Sequence, residues 1–185
     1  MKLKHYTLKP YQLESKHLSQ IHNIIEKVVG EKKDEYWDNY TDYSVFDQTM
    51  ITIGIIDDEV KTFSSIYTRE FYGEYVYRLL NRWLMSDDIR EEGGSKSFKG
   101  EHRFFDMIHQ QIEFVKTLQP KFYFMSRQRK NTRWLNWYFD KFNKTYGSDF
   151  VVSKNQYRIC DGADYDCCQT LIYPKEMKIP FEKLV

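Results

Sequence analysis

The string Arg90-Glu91-Glu92-Gly93-Gly94-Ser95 is followed by Lys96, Lys99 and Gly100, directly before a strongly amphipathic stretch. Glycines allow successive backbone N–H groups to converge, and a helix start adds the positive end of its dipole, so this arrangement can hold an anion such as a phosphate. The plain alternative is a solvated glycine turn. Farther on, Asn131 and Tyr138 lie seven positions apart. That is about two helical turns, which puts both side chains on one face. Tyr138 is also one of 15 tyrosines, and an ordinary core aromatic is the competing reading. Arg127, Arg129, Lys130 and Arg133 gather in SRQRKNTR, a local anion site or a solvated basic helix start. Asp34, Glu35, Asp38, Asp42 and Asp47 are interleaved with Tyr36, Trp37, Tyr40 and Tyr43. Carboxylates and ring faces together attract an amine cation, whereas a solvated amphipathic helix would carry the same residues.

Metal chemistry finds less support. Asp161, Gly162, Asp164 and Asp166 occur in DGADYD, which is not the order of a calcium loop. Cys160, Cys167 and Cys168 have no histidine following them, so no zinc set is expected.

The 185 residues carry 41% hydrophobic and 30% charged side chains, the composition of one globular domain spanning 1–185. A net charge of +1 gives no whole-molecule support for nucleic-acid binding. No run approaches a membrane span and no apolar signal core follows Met1, so a cytoplasmic, membrane-free protein is expected. The adjacent, odd-numbered cysteines fit a reducing compartment.

The elements that must position these residues follow from periodicity. Alternation before Pro10 predicts a first strand. Leu13, His17, Leu18, Ile21, Ile24, Ile25 and Val28 predict a helix ended by Gly30. The aromatic positions of residues 31–47 allow a second, shorter helix. Met50 to Ile56 and Val60 to Thr68 read as a hairpin about Asp57-Asp58-Glu59, and Tyr75 to Met85 as a third antiparallel strand. Ser86 to Gly100 reads as a loop. Phe104, Phe105, Ile108, Ile112, Val115 and Leu118 mark a helix stopped by Pro120. Phe122 to Met125 is a short strand, Asn131 to Tyr146 a helix with Trp134, Leu135, Trp137, Tyr138, Phe142 and Tyr146 as its apolar positions, and Phe150 to Ile159 and Cys167 to Tyr173 two closing strands.

This order, β, α, α, β, β, β, α, β, α, β, β, resembles the GCN5-related N-acetyltransferase superfamily over nearly the whole chain. The resemblance implies an α/β (α+β) fold: a mixed, mainly antiparallel sheet of six or seven strands with helices on both faces. The strands holding Tyr75 to Met85 and Phe122 to Met125 would be parallel where they approach and would splay apart around acyl-coenzyme A. Arg90 and Gly93 fall into register with the family's pyrophosphate loop, although Ser95 takes its last small position and Glu91 and Glu92 add negative charge. By the same resemblance Asn131 contacts the pantetheine arm and the Tyr138 hydroxyl protonates the departing thiolate. The acidic-aromatic segment would border the acceptor.

The reading is therefore an acyltransferase that moves an acetyl group from acetyl-coenzyme A, as co-substrate, to a small-molecule amine acceptor. Tyr138 and Asp87 are its candidate catalytic acid and base, with Asp88, Glu74 and His102 as further base candidates. Arg90, Gly93, Gly94, Lys96, Lys99, Gly100 and Asn131 are its candidate coenzyme-binding residues. The rivals are a non-catalytic binding protein on the same fold and a nucleic-acid-binding module. A homodimer is compatible with either.

Overall fold

The computed structural model describes residues 2–30, 50–71, 74–92, 103–118, 123, 125–127, 133–159, 167–179 and 182–184. Its contacts gather into two compact units, Met1–Arg69 with Leu79–Gln119, and Glu70–Arg78 with Pro120–Val185. The chain runs β1 (Lys4–Leu8), α1 (Ser15–Val29), β2 (Met50–Ile56), β3 (Glu59–Phe71), β4 (Glu74–Met85), α2 (Asp87–Glu91), α3 (Arg103–Thr117), β5 (Met125–Arg127), α4 (Arg133–Tyr146), β6 (Phe150–Ile159), β7 (Cys167–Pro174) and β8 (Glu182–Leu184).

The first unit is built on the sheet β1-β2-β3-β4. Asp57 and Asp58 both take positive φ, 51° and 66°, so the two-residue turn has the handedness that matches strand twist and closes the β2–β3 hairpin. Alternation then sorts the side chains of β2. Ile51 and Ile53 join Phe63 and Val60 against Ile21, Ile24 and Ile25 of α1, each fully buried aliphatic contributing roughly 1.5–3 kcal/mol. Gly30 ends α1 at φ 68°, a conformation that a side chain would resist.

Thr52 points to the opposite face, where its hydroxyl lies 2.8 Å from that of Thr7 and accepts from Gln111 Nε2 of α3 at 3.2 Å. Helices therefore cover both faces of this sheet, one side apolar and the other a polar seam. The neighbouring row of the seam is His5, Gly54 and Thr62, paired across β1, β2 and β3. A Cβ on Gly54 would meet Thr62 Oγ1 at 2.3 Å and His5 Nε2 at 3.1 Å. The absent side chain is the space those two polar groups use. Gly54→Ala is expected to lower stability by about 1–3 kcal/mol, because the β-branched Thr62 cannot swing aside in a packed interior. Urea denaturation should show the loss, and Gly54→Ala/Thr62→Ala should recover part of it.

The second unit carries the sheet β5-β7-β6-β8. Helix α4 packs on β6 through Phe139 and Phe142, whose rings lie 6.3 and 6.2 Å from that of Phe150. The turn between them is held by Asn143, which donates to Phe150 O at 2.7 Å and accepts from Phe150 N at 3.0 Å, with Gly147 at φ 63°. The β6–β7 register shifts between Val152 and Gln156, and there the Ser153 hydroxyl accepts the Leu171 N–H at 3.0 Å in place of a ladder carbonyl.

Several expectations change. The segment from Ser86 begins as helix α2 rather than loop, because Ser86 at the N-cap and Asp87 and Asp88 in the first turn suit a helix start. An eighth strand, β8, pairs with β6. Every register that the described residues define is antiparallel, and β4 and β5 belong to different sheets, so the expected parallel contact is not among them. The short β5 instead forms an antiparallel ladder with β7, Met125, Ser126 and Arg127 lying opposite Ile172, Leu171 and Thr170. Trp137, read as an apolar helix position, is 64% exposed. Its indole lies beneath Lys141 Nζ at 5.7 Å, so the ring serves the surface while Leu135, Phe139 and Phe142 form the buried stripe.

Candidate functional site

Helix α2 sets Asp87 and Arg90 three positions apart, so their side chains meet, and Arg90 donates to the Asp87 carboxylate. Lys27 of α1 reaches the same carboxylate at 3.7 Å. Both pairs line a pocket of about 220 Å³ with Gln20, Asn23, Ile24, Glu59, Val60, Met85 and Ser86. The lining holds two cations and two carboxylates, so charge alone selects neither sign of ligand. Gln20 spends its carbonyl oxygen on the Val60 N–H at 3.0 Å.

The neighbouring Asp88 is differently placed. Burial pushes its carboxyl up, but the Ser86 hydroxyl and the Lys61 ammonium at 2.9 Å hold it below the usual carboxylate range. Hydrogen bonds to Glu59 at 2.6 Å and to Asp88 raise Lys61 in turn. Of the carboxylates considered as bases, then, Asp87 and Asp88 both sit in ion pairs at the end of β4.

Arg103 begins α3 and is 2% exposed, with Nη2 donating to Glu92 Oε2 at 2.8 Å. The next ring, Phe104, packs on Trp83 of β4 with centroids 4.8 Å apart. The sequence marked Glu92 only as unwelcome negative charge. Its buried partner is Arg103, eleven residues later, and the sequence signal for the pair is an acid and a base on either side of a glycine-rich stretch.

In the second unit Tyr138 lies on α4, half-buried, with its hydroxyl oxygen screened from solvent. Its ring meets Trp134 edge-on at 6.3 Å and Phe139 at 5.6 Å. Both rings belong to the same helix, one turn before Tyr138 and directly after it. Among the other candidates, Gly93, Gly94, Lys96, Lys99, Gly100, Asn131 and His102 lie outside the described residues, as do Arg129, Lys130 and the acidic-aromatic residues 34–47. No helix among the described residues is long and apolar enough to cross a membrane.

The sequence matches no family model and no curated protein. Solved structures are matched along nearly the full chain. Escherichia coli ElaA is 14% identical with a TM-score of 0.53, covering 94% of this chain and 100% of its own. The NatC complex bound to Gag peptide and CoA gives 10% identity and 0.55, over 94% and 99%. A GNAT family acetyltransferase from Elizabethkingia anophelis with acetyl-CoA bound gives 9% and 0.50, over 95% and 98%. At these identities the likeness is one of fold.

Proposed function

We propose that this chain, which has the fold of the GCN5-related N-acetyltransferases, transfers an acetyl group from acetyl-coenzyme A to an amine. The observation that carries the reading is the likeness of fold over 94% of the chain to proteins of which one holds CoA with a peptide and another holds acetyl-CoA. Fold alone does not select chemistry, so the residues must supply it.

In this reading the acetyl donor's phosphates meet Arg90, the amides of Gly93, Gly94 and Gly100, and Lys96 and Lys99, while Asn131 meets the pantetheine arm. The acceptor nitrogen gives up a proton to Asp87, directly or through water, and bonds to the thioester carbonyl carbon. The carbon–sulfur bond then breaks, and the thiolate takes the proton of the Tyr138 hydroxyl. For Asp87 to act, its carboxylate must be released from Arg90. An acceptor that carries positive charge could compete for that carboxylate.

The test is thermal unfolding with acetyl-coenzyme A. At about a hundred times its dissociation constant the donor should add about 2.7 kcal/mol, a shift of several degrees. No shift at millimolar donor overturns the reading. The pairing of Asp87 with Arg90 favours a second reading, a non-catalytic protein on this fold. Donor binding without transfer to any amine in a broad screen decides for it.

A further inference from the structure

Two ion clusters of opposite net charge meet at the pocket between α1, the start of β3 and the end of β4. In the first, the Asp87 carboxylate accepts from Arg90 and stands 3.7 Å from Lys27 Nζ, two cations around one anion. In the second, Lys61 Nζ lies 2.6 Å from Glu59 and 2.9 Å from Asp88, one cation between two anions. The first cluster is left with one positive charge and the second with one negative charge. All six residues belong to the first unit.

The side chain that carries the surplus can be named in each. Asp87 is hydrogen-bonded by Arg90, whereas Lys27 makes no hydrogen bond among the described residues. Lys27 and Glu59 are the most open members of their clusters, with side chains 66% and 62% exposed, so both can receive a ligand. Along α1 the lining runs from Gln20, whose oxygen accepts the Val60 N–H beside Glu59, to Lys27 beside Asp87. Those seven positions are two turns, about 10 Å. The buried Ile24 and Val60, with Met85, give the lining its apolar part. A volume of about 220 Å³ is below the roughly 300–1,000 Å³ that encloses a drug-sized ligand, so the occupant is small.

An anion alone would answer Lys27 and be opposed by Glu59, and an amine alone the reverse. A molecule with both charges on an apolar stem answers both. We propose that this pocket binds a small ω-amino acid, with its carboxylate on Lys27, its ammonium on Glu59 and its methylenes on Ile24, Val60 and Met85. An α-amino acid, whose charged groups stand on neighbouring carbons, does not span the two ends. Because the ammonium faces Glu59 rather than Asp87, this ligand is not the acetyl acceptor. The inference stands whether or not the chain takes coenzyme A.

Calorimetry on the full chain with ω-aminopentanoate, pentanoate, pentylamine and glycine tests it. Exposed ion pairs are individually weak, so ω-aminopentanoate should bind at about millimolar concentration, and each of the other three at least about threefold more weakly. Lys27→Gln should reduce the affinity for ω-aminopentanoate to that of pentylamine, and Glu59→Gln to that of pentanoate. The Met85 methyl signal, followed by NMR on methyl-labelled methionine, should move during the wild-type titration. No binding at tens of millimolar overturns the inference. So does glycine, pentanoate or pentylamine binding as tightly as ω-aminopentanoate, or a folded variant binding like wild type. Heat released while the Met85 signal stays still puts the ligand elsewhere and overturns it as well. Should either variant fail to fold, the ligand series on the wild-type chain decides.

Discussion

Tyr138→Phe is expected to lower acetyl transfer by about 10²-fold or more while changing the affinity for acetyl-coenzyme A by no more than about twofold. The substitution keeps the ring, and with it the edge contacts to Trp134 at 6.3 Å and Phe139 at 5.6 Å, so the helix and its packing are preserved. Only the screened hydroxyl is lost. If that hydroxyl protonates the leaving thiolate, the cost falls on the chemical step and appears in kcat, since the ground-state complex does not depend on the proton transfer. If Tyr138 is a packing residue, the ring is what matters. Tyr138→Phe would then be nearly silent, whereas Tyr138→Ala would cost about 3–5 kcal/mol of stability through the cavity it leaves. Steady-state kinetics with an amine found by screening, together with urea denaturation of both variants, separates the two. A silent Tyr138→Phe in an active enzyme removes the residue from the chemistry.

The legible part of this fold was the part written in local periodicity. Ile21, Ile24 and Ile25 recur at helical spacing, and they are the buried stripe of α1. The Asp57-Asp58 turn between two β-branched runs gave the hairpin, and both aspartates take the left-handed conformation that such a turn requires. What escaped was decided by distant partners or by competing signals. Helix α2 has a serine N-cap and two acids in its first turn, but in the sequence the glycines at 93 and 94 carry the stronger, loop-like signal. β8 is three residues long and exists because β6 offers it an edge, which no property of Glu182, Lys183 and Leu184 announces.

Of the candidate site residues, Tyr138, Asp87 and Arg90 fall among the described residues. The seven-residue spacing put Tyr138 on a defined face of α4, and the structure surrounds it with rings on that helix. The sequence could not show that Asp87 and Arg90, assigned separate roles, would pair with each other, because the i, i+3 geometry applies only once the stretch is helical. Nor could it show the Glu92–Arg103 pair, which joins residues eleven positions apart. Thr7, Thr52, Thr62 and Ser64 likewise read as ordinary strand residues. That they are all buried, in a polar seam beneath α3, is a consequence of tertiary packing alone.

That seam should make stability depend on pH. His5 is largely enclosed by it, its Nε2 has no hydrogen-bond partner among the described residues, and Gly54 leaves it facing Thr62. Burial drives the imidazole down to about 4 from an ordinary 6.5, with Asp106 of α3 pulling the other way and Lys2 adding slightly to the fall. The charged form is therefore the one that the fold rejects. Above pH 6.5 the ring is neutral folded or unfolded, and its contribution is intact. Between 6.5 and about 4 the unfolded chain takes up a proton that the folded chain refuses, so stability falls by up to about 1.4 kcal/mol per pH unit and by about 3 kcal/mol in all. Below that the folded form also protonates and this loss levels off. His5→Gln keeps a polar group in the space and removes the titration. Urea denaturation at steps from pH 4 to 7 should give a wild-type curve that falls away from that of His5→Gln as the pH drops. Two parallel curves would mean that His5 protonates in the folded state as readily as in water, and that the seam beneath α3 is open to solvent.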